Sequence, residues 1–278
     1  TEIPHTVPIA RVNCSRCHYV DKIVGASFAQ KSGQYRESVH KAALEQGNAK
    51  APTCQDCHGT HYVLPPTDPC SPIHRSNIPA TCGECHLEIY ADYRESVHGR
   101  ALREGNVDVP VCTDCHGEHN IQAVADENSK VNPKAIVQTC SSCHAAEGIM
   151  AKYGVPTEQY YSYRDSYHGV ANQYGSTTVA NCASCHTAHN VRPSSDPLSS
   201  VHVDNLPNTC GKCHRGANPN FAKGKMHVVV SREESPGLFY VSSAFKWLTI
   251  GTMCALVGHI MLDLIRRYRS KRSGSSAH

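Results

Sequence analysis

The sequence predicts a mainly helical chain with extensive loops, built from internal repeats and ending in one membrane-spanning helix. Three observations lead there. Of 278 residues only four are Phe and one is Trp, while Cys and His number 16 and 19. So few large apolar side chains do not fill an ordinary core of this size, so something other than side chains must supply buried apolar surface. This argues against a plain α/β enzyme fold. No run alternates convincingly enough to be a strand. An abrupt apolar stretch near the C-terminus is followed by a basic run. The 19 Gly and 16 Pro are too few for a collagen-like or low-complexity chain, and only the last ten residues read as disordered.

The cysteines define the class. Fourteen fall into seven copies of Cys-x-x-Cys, each followed at once by His: Cys14-Cys17-His18, Cys54-Cys57-His58, Cys82-Cys85-His86, Cys112-Cys115-His116, Cys140-Cys143-His144, Cys182-Cys185-His186 and Cys210-Cys213-His214. This is the c-type haem attachment signal. The two thiols add to the vinyl groups of one haem, and the adjacent His meets the iron. Tetrahedral zinc or a disulfide framework also uses paired cysteines, but neither requires a His after all seven. Seven haem c groups are therefore expected, forming the core themselves. Cys70 and Cys254 are left over and read as small buried hydrophobes. The chain opens Thr1-Glu2-Ile3-Pro4-His5 and reads as a mature chain whose leader is absent.

A repeat organises the motifs. The starts pair as 54 with 82, 112 with 140 and 182 with 210, at one constant spacing. A His precedes the first start of each pair at a fixed offset (His40, His98, His168), and another follows it at a fixed offset (His61, His119, His189). Flanking text repeats as Tyr35-Arg36-Glu37-Ser38-Val39-His40, Tyr93-Arg94-Glu95-Ser96-Val97-His98 and Tyr163-Arg164-Asp165-Ser166-Tyr167-His168. The units run 40–86, 98–144 and 168–214, with motif 14–18 ahead of the first. The segment around each Ser-x-His, such as Tyr93 to Glu104, reads as helical, with Gly47, Gly105 and Gly175 as stops. Arg36 and His40, one helical turn apart, are expected on one face, and so are Arg94/His98 and Arg164/His168. The Arg then either meets a haem propionate or is a solvated surface side chain.

Seven bis-His irons need seven further histidines. His61, His119 and His189 each follow closely on a proximal His, by a tether too short to round the macrocycle. Each therefore binds a different haem, or none. His227 comes after start 210 much as His98 comes after start 82, and resembles the His40 type in a cut-off fourth unit. The expected distal ligands are His40, His61, His98, His119, His168, His189 and His227. His74 and His202 stand at matching positions after starts 54 and 182, and the middle unit has Asn132 there. They are runners-up for ligation or else surface or propionate-bonding residues. His5 and His278 are expected to be unliganded.

After Ser235-Pro236-Gly237, Trp247 to Ile265 is mostly apolar, and with Leu238 to Phe245 it is long enough for the ~30 Å hydrocarbon core. Arg266, Arg267, Arg269, Lys271 and Arg272 follow. Residues 1–235 then form the haem domain, 236–267 the transmembrane helix and 268–278 a basic tail. The positive-inside rule puts the tail in the cytoplasm, and Trp247 and Tyr240 suit the outer interface. His259 and Asp263 share a face of this helix, and Gly251 and Gly258 permit close helix approach. His259 is expected either to ligate a haem b or bond a quinone in a membrane partner, or to make a plain interhelical hydrogen bond.

Charge bears on the soluble partner. Outside 266–278 the chain carries 22 basic and 24 acidic residues. Propionates and oxidised irons bring the haem part to roughly −9, so a periplasmic partner with a basic docking face is expected and nucleic acid is not.

The stretches Tyr-Arg-Glu-Ser-Val-His (35–40, 93–98), Cys-x-x-Cys-His-Gly-x-His (54–61, 112–119) and Thr-Cys-Gly-x-Cys-His (81–86, 209–214) resemble multihaem c-type cytochromes of the doubled Cys-x-x-Cys-His, cytochrome c3-like superfamily. They resemble most the periplasmic part of inner-membrane quinol-linked systems of anaerobic bacteria. The resemblance covers 14–227. It implies attachment outside the cytoplasmic membrane, electron transfer through low-spin bis-His haems, and an integral membrane neighbour, a cytochrome b or quinone-site protein. One departure is the C-terminal anchor, since single-helix quinol-dehydrogenase cytochromes of the four- and five-haem kind carry theirs at the N-terminus. Three functions follow: a membrane-anchored electron conduit, a reductase of a small nitrogen or sulfur oxyanion, or an electron-storage subunit. The reductase needs an iron with an exchangeable site, and seven regular motifs with spare histidines favour the conduit.

Overall fold

The computed structural model describes Cys14 and residues 26–274. Cys17, His18, His5 and His278 lie outside the described residues. Those described are mainly helical, with no strand among them. Two compact units divide the chain, Thr1–Lys225 and Met226–His278. This division falls at Met226, ahead of the helix start at Pro236 that the sequence suggests as the boundary.

The first unit is a series of short helices joined by hydrogen-bonded turns. They are α1 (Ala26–Arg36), α2 (Val39–Glu45), α3 (Cys54–His58), α4 (Ile78–Gly83), α5 (Leu87–Glu95), α6 (Val97–Arg103), α7 (Cys112–His116), α8 (Ile136–His144), α9 (Glu147–Met150), α10 (Glu158–Arg164), α11 (Tyr167–Gln173), α12 (Cys182–His186) and α13 (Leu206–Gly211).

Each expected helix around Ser-x-His is in fact two. Ser96 takes extended backbone (φ −71, ψ 163), ends α5 and caps α6. Its hydroxyl donates to the Tyr93 carbonyl at 2.6 Å and accepts from Gly99 N–H at 3.0 Å. Ser38 and Ser166 make the same paired bonds. A serine hydroxyl competes for backbone groups, which favours a cap over a helix interior. Arg94 and His98 therefore belong to different helices, as do Arg36/His40 and Arg164/His168, and the shared-face argument for these pairs is corrected. Arg94 lies over the Tyr90 ring at 5.7 Å, and Arg164 over Tyr161 at 5.3 Å.

Other bonds recur at matching positions. The Tyr35, Tyr93 and Tyr163 hydroxyls donate to the carbonyls of Pro52, Pro110 and Ala180 at 2.7, 2.9 and 3.0 Å. The Thr81, Thr139 and Thr209 hydroxyls donate to Pro72, Lys130 and Ser200 at 2.7, 2.6 and 2.7 Å. Gly47, Gly105 and Gly175 each take φ +88, the left-handed exit that the sequence assigns to a stop. Backbone bonds from Val39 N–H to Ile121 O (2.9 Å) and from Val97 N–H to Val191 O (2.8 Å) tie the first two Ser-x-His segments to the loop behind a later motif.

The interior is unlike an ordinary core. Among the described residues only Ala51, Val111 and Met150 are buried hydrophobics, against nine buried polar residues that include Ser38, Ser71, Ser96 and Ser199. Cys70 is exposed, which corrects the expectation of a buried hydrophobe; Cys254 lies within the apolar C-terminal helix. Cys70 sits in a polar turn closed by Asp68, whose carboxylate accepts its backbone N–H at 2.8 Å.

In the second unit, Ser235 donates to the Val229 carbonyl at 2.6 Å and its own carbonyl accepts Phe239 N–H just ahead of α14 (Pro236–Gly274). Within α14, residues Pro236–Ser270 are long and apolar enough to cross a membrane, with mean hydropathy 1.8. The Thr249 and Thr252 hydroxyls donate to the carbonyls of Phe245 and Leu248, one turn back, at 2.8 and 3.0 Å, so neither is left unbonded on an apolar helix.

Candidate haem centres

The motif helices start by local chemistry. Asp56 accepts Thr53 N–H at 2.6 Å and Asp114 accepts Val111 N–H at 2.7 Å, each an acid in the first turn of α3 or α7. In α12, Asn181 Oδ1 accepts Ser184 N–H at 3.1 Å. The chain then turns sharply after each His: Gly59 and Gly117 have φ +79 and +83, and Thr187 has φ +65 in the third copy. This turn carries His61, His119 and His189 away from the motif ring just before them.

The described residues include the following five histidine pairs. Ring centres lie 6.3 Å apart for His40–His86, 5.9 Å for His58–His119, 6.2 Å for His98–His144, 6.1 Å for His116–His189 and 6.0 Å for His168–His214. Every pair joins a motif histidine to one outside the motifs. An imidazole nitrogen bonds a transition metal at about 2.0–2.1 Å and lies about 1.1 Å from its ring centre, so two imidazoles on opposite sides of one ion have centres roughly 6.3 Å apart. The donor set therefore fits an iron held between paired rings. Among the described residues no group of three or more His, Cys, Asp or Glu is placed to hold a metal, so the tetrahedral zinc arrangement has no counterpart there. No disulfide joins the described cysteines.

The pairs are of two kinds. His58–His119 and His116–His189 are nearly parallel, 13° and 12° between planes, and draw the outer histidine from the following unit. His40–His86, His98–His144 and His168–His214 are turned by 33°, 54° and 46° and close within their own unit. Burial, then the charge of the facing His86 or His119, lowers the pKa of His40 and His58. Burial and His144 push His98 down to about 4. Burial is also the first cause of the lowered values of His116, His119, His144 and His189. A neutral ring is the form that ligates.

The thiols of successive motifs face one another. The Cys82 thiol hydrogen-bonds Cys112, which holds Cys82 far above and Cys112 below the ordinary thiol value, and Cys140 and Cys182 do the same. Burial pushes Cys57 up to about 11, with Cys82 the next cause. Burial also raises Cys54, Cys115 and Cys185, whose neighbours include Cys14, Cys143 and Cys210. Motifs adjacent in sequence are thus adjacent in space from 54 to 210.

Other candidates are placed as follows. His61 is exposed, with Nδ1 3.1 Å from the Thr60 hydroxyl. His186 ends α12, and His227 lies in the second unit. His74 Nδ1 is 2.7 Å from the Ser76 hydroxyl, and His202 Nδ1 accepts Asp204 N–H at 3.3 Å. Asn132 Oδ1 accepts Lys134 N–H at 3.0 Å at the matching place. A turn-closing acceptor is what this position uses, which explains why Asn substitutes there. On α14, Asp263 pairs with Arg267 at 2.8 Å, one turn on.

Sequence reasoning missed Arg75. Its guanidinium donates to the Val107 and Val109 carbonyls at 2.9 and 2.7 Å and to both oxygens of Asp114 at 3.2 and 2.8 Å, clamping a motif helix in the next repeat unit. Nothing in the repeat signals it, because Pro133 and Val203 stand at the matching positions.

Compared with known proteins, the chain matches no family model, no curated protein and no solved structure.

Proposed function

We propose that the chain is a membrane-anchored seven-haem c-type cytochrome that relays electrons between an integral membrane partner, a cytochrome b or quinone-site protein, and soluble periplasmic redox proteins. It sits in the bacterial inner membrane, with the haem domain on the periplasmic side and the basic C-terminal tail in the cytoplasm. The observation that carries the reading is the set of five ring pairs at 5.9–6.3 Å, each uniting a Cys-x-x-Cys-His histidine with a histidine outside the motifs.

Bound haem would supply the one-electron iron couple. The chain's own work is to fix the sulfurs, present two neutral imidazoles to each iron and exclude water from the ring edges. Stacked repeats with haem as the shared core account for an interior with three buried apolar residues among those described. The facing thiols support a transfer order that follows the sequence. His61 and His227 complete the seven distal ligands by count, with their irons unassigned.

EPR of the purified oxidised protein tests the reading. Low-spin bis-His iron alone supports the relay. A high-spin haem that binds nitrite or sulfite overturns it in favour of an oxyanion reductase.

A further inference from the structure

The turn after the proximal histidine is made by Gly59 and Gly117 in two motifs, and by Thr187 in the third. All three backbones are left-handed, and glycine adopts that region without the clash a β-branched residue meets. An added Cβ at Gly59 would come no closer than 3.4 Å to the Tyr62 carbonyl oxygen, and one at Gly117 no closer than 3.4 Å to that of Asn120. The side chain itself therefore has room, and the cost of Thr187 lies in its backbone. A second, independent observation falls on the same residue. Thr187 Oγ1 is buried with no hydrogen-bond partner, a condition shared among the described residues only by His119 Nδ1. Nearby polar groups are engaged elsewhere: Asn181 with Ser184, and Asn190 with Arg192, which in turn pairs with Asp196.

Buried hydroxyls find acceptors, and an ionised acceptor makes the stronger bond. Thr187 lies on the short tether between His186 and His189, and His189 faces His116. We infer that the Thr187 hydroxyl donates to a propionate carboxylate of one of the two haems this tether joins, making Thr187 a positioning residue that raises that haem's reduction potential. The inference rests on the haem reading above. Withdrawing the donor leaves the carboxylate more negative and favours the oxidised iron, so the midpoint falls.

The test uses the full-length haem-loaded protein in detergent, with Thr187→Val, Thr187→Ser and Thr187→Gly. Haem content, the propionate bending band in resonance Raman and spectroelectrochemical midpoints are read together. Expected is a downward shift of one midpoint of seven and a moved propionate band in Thr187→Val and Thr187→Gly, with Thr187→Ser matching the parent. In a His189→Met background, which marks the haem facing His116 by its raised potential, a shift on the marked wave assigns the carboxylate to that haem. A shift on an unmarked wave assigns it to the haem of His186. Should Thr187→Val fail to assemble, Thr187→Gly relieves the backbone and gives the answer alone. Full haem content with unmoved midpoints and Raman band overturns the inference. Absence of covalent haem from the parent protein overturns the haem reading instead.

Discussion

Replacing Ser96 by Ala removes a side chain that is fully buried and makes two backbone bonds. Losing the N-cap costs about 1 kcal/mol, and the bond to the Tyr93 carbonyl contributes about 1 more, since water does not reach the site to replace it. The expected loss is about 2 kcal/mol, which lowers Tm by about 4–8 °C for a unit of this size. The damage is not only global. Ser96 sets the start of α6, and His98 on its first turn lies 6.2 Å from His144. Loosening this cap should free that pair first, giving a haem that binds carbon monoxide below the main transition. The assay is thermal unfolding followed by far-ultraviolet circular dichroism and by Soret absorbance with and without carbon monoxide. Ser176→Ala, which loses only a surface contact of 3.3 Å, is the control. A Ser96→Ala protein melting within about 1 °C of the parent, with no early carbon monoxide binding, would refute the reasoning.

Acid should weaken the fold through Asp196, whose carboxyl is held below the ordinary carboxylate value by the Leu198 backbone N–H and the Arg192 guanidinium. A lowered carboxyl adds stability that is present above its unfolded pKa and lost as pH falls through its folded one; Asp196→Asn should flatten the slope of unfolding free energy against pH on the acid side, and an unchanged slope contradicts this. The two kinds of ring pair, 12–13° and 33–54° between planes, should give two families of low-spin EPR signal, one rhombic and one with a larger principal g value, and a single family argues against the pairings. Arg75→Lys keeps the charge but loses the fork on Asp114, and should cost about 1–2 kcal/mol in denaturant unfolding, more than the same change at exposed Arg94. His259→Ala separates the two roles open to that residue: lowered b-haem content or quinol-dependent reduction in membranes assigns it to a cofactor of the membrane partner, and unchanged values of both leave it an interhelical hydrogen bond.

That motif histidines would meet histidines from outside the motifs was legible because the repeated Cys-x-x-Cys-His spacing fixes residue type and position together. The Cys-x-x-Cys-His copies, the histidines at fixed offsets on either side of each first motif, and the bar on His119 returning to its own ring all rest on short-range chain geometry. Which ring faces which was not legible. His119 meets His58, and His189 meets His116, each across a unit boundary, because Val39 and Val97 bond to Ile121 and Val191, long-range contacts with no local signature. The continuous helix expected from Tyr93 to Glu104 breaks because the buried Ser96 hydroxyl competes for the backbone, a choice helical periodicity does not register. Cys70 was misplaced because its type favours burial while its neighbours form a solvent-facing turn. The long C-terminal helix was plain, since composition alone determines whether it can cross a lipid core.

Intact-mass spectrometry of the purified full-length chain, with metal analysis on the same sample, tests the central claim most directly. The account predicts a mass exceeding the polypeptide by seven haem groups that survive acid extraction, and seven irons per chain. A mass equal to the polypeptide alone, or zinc in place of iron, would contradict it.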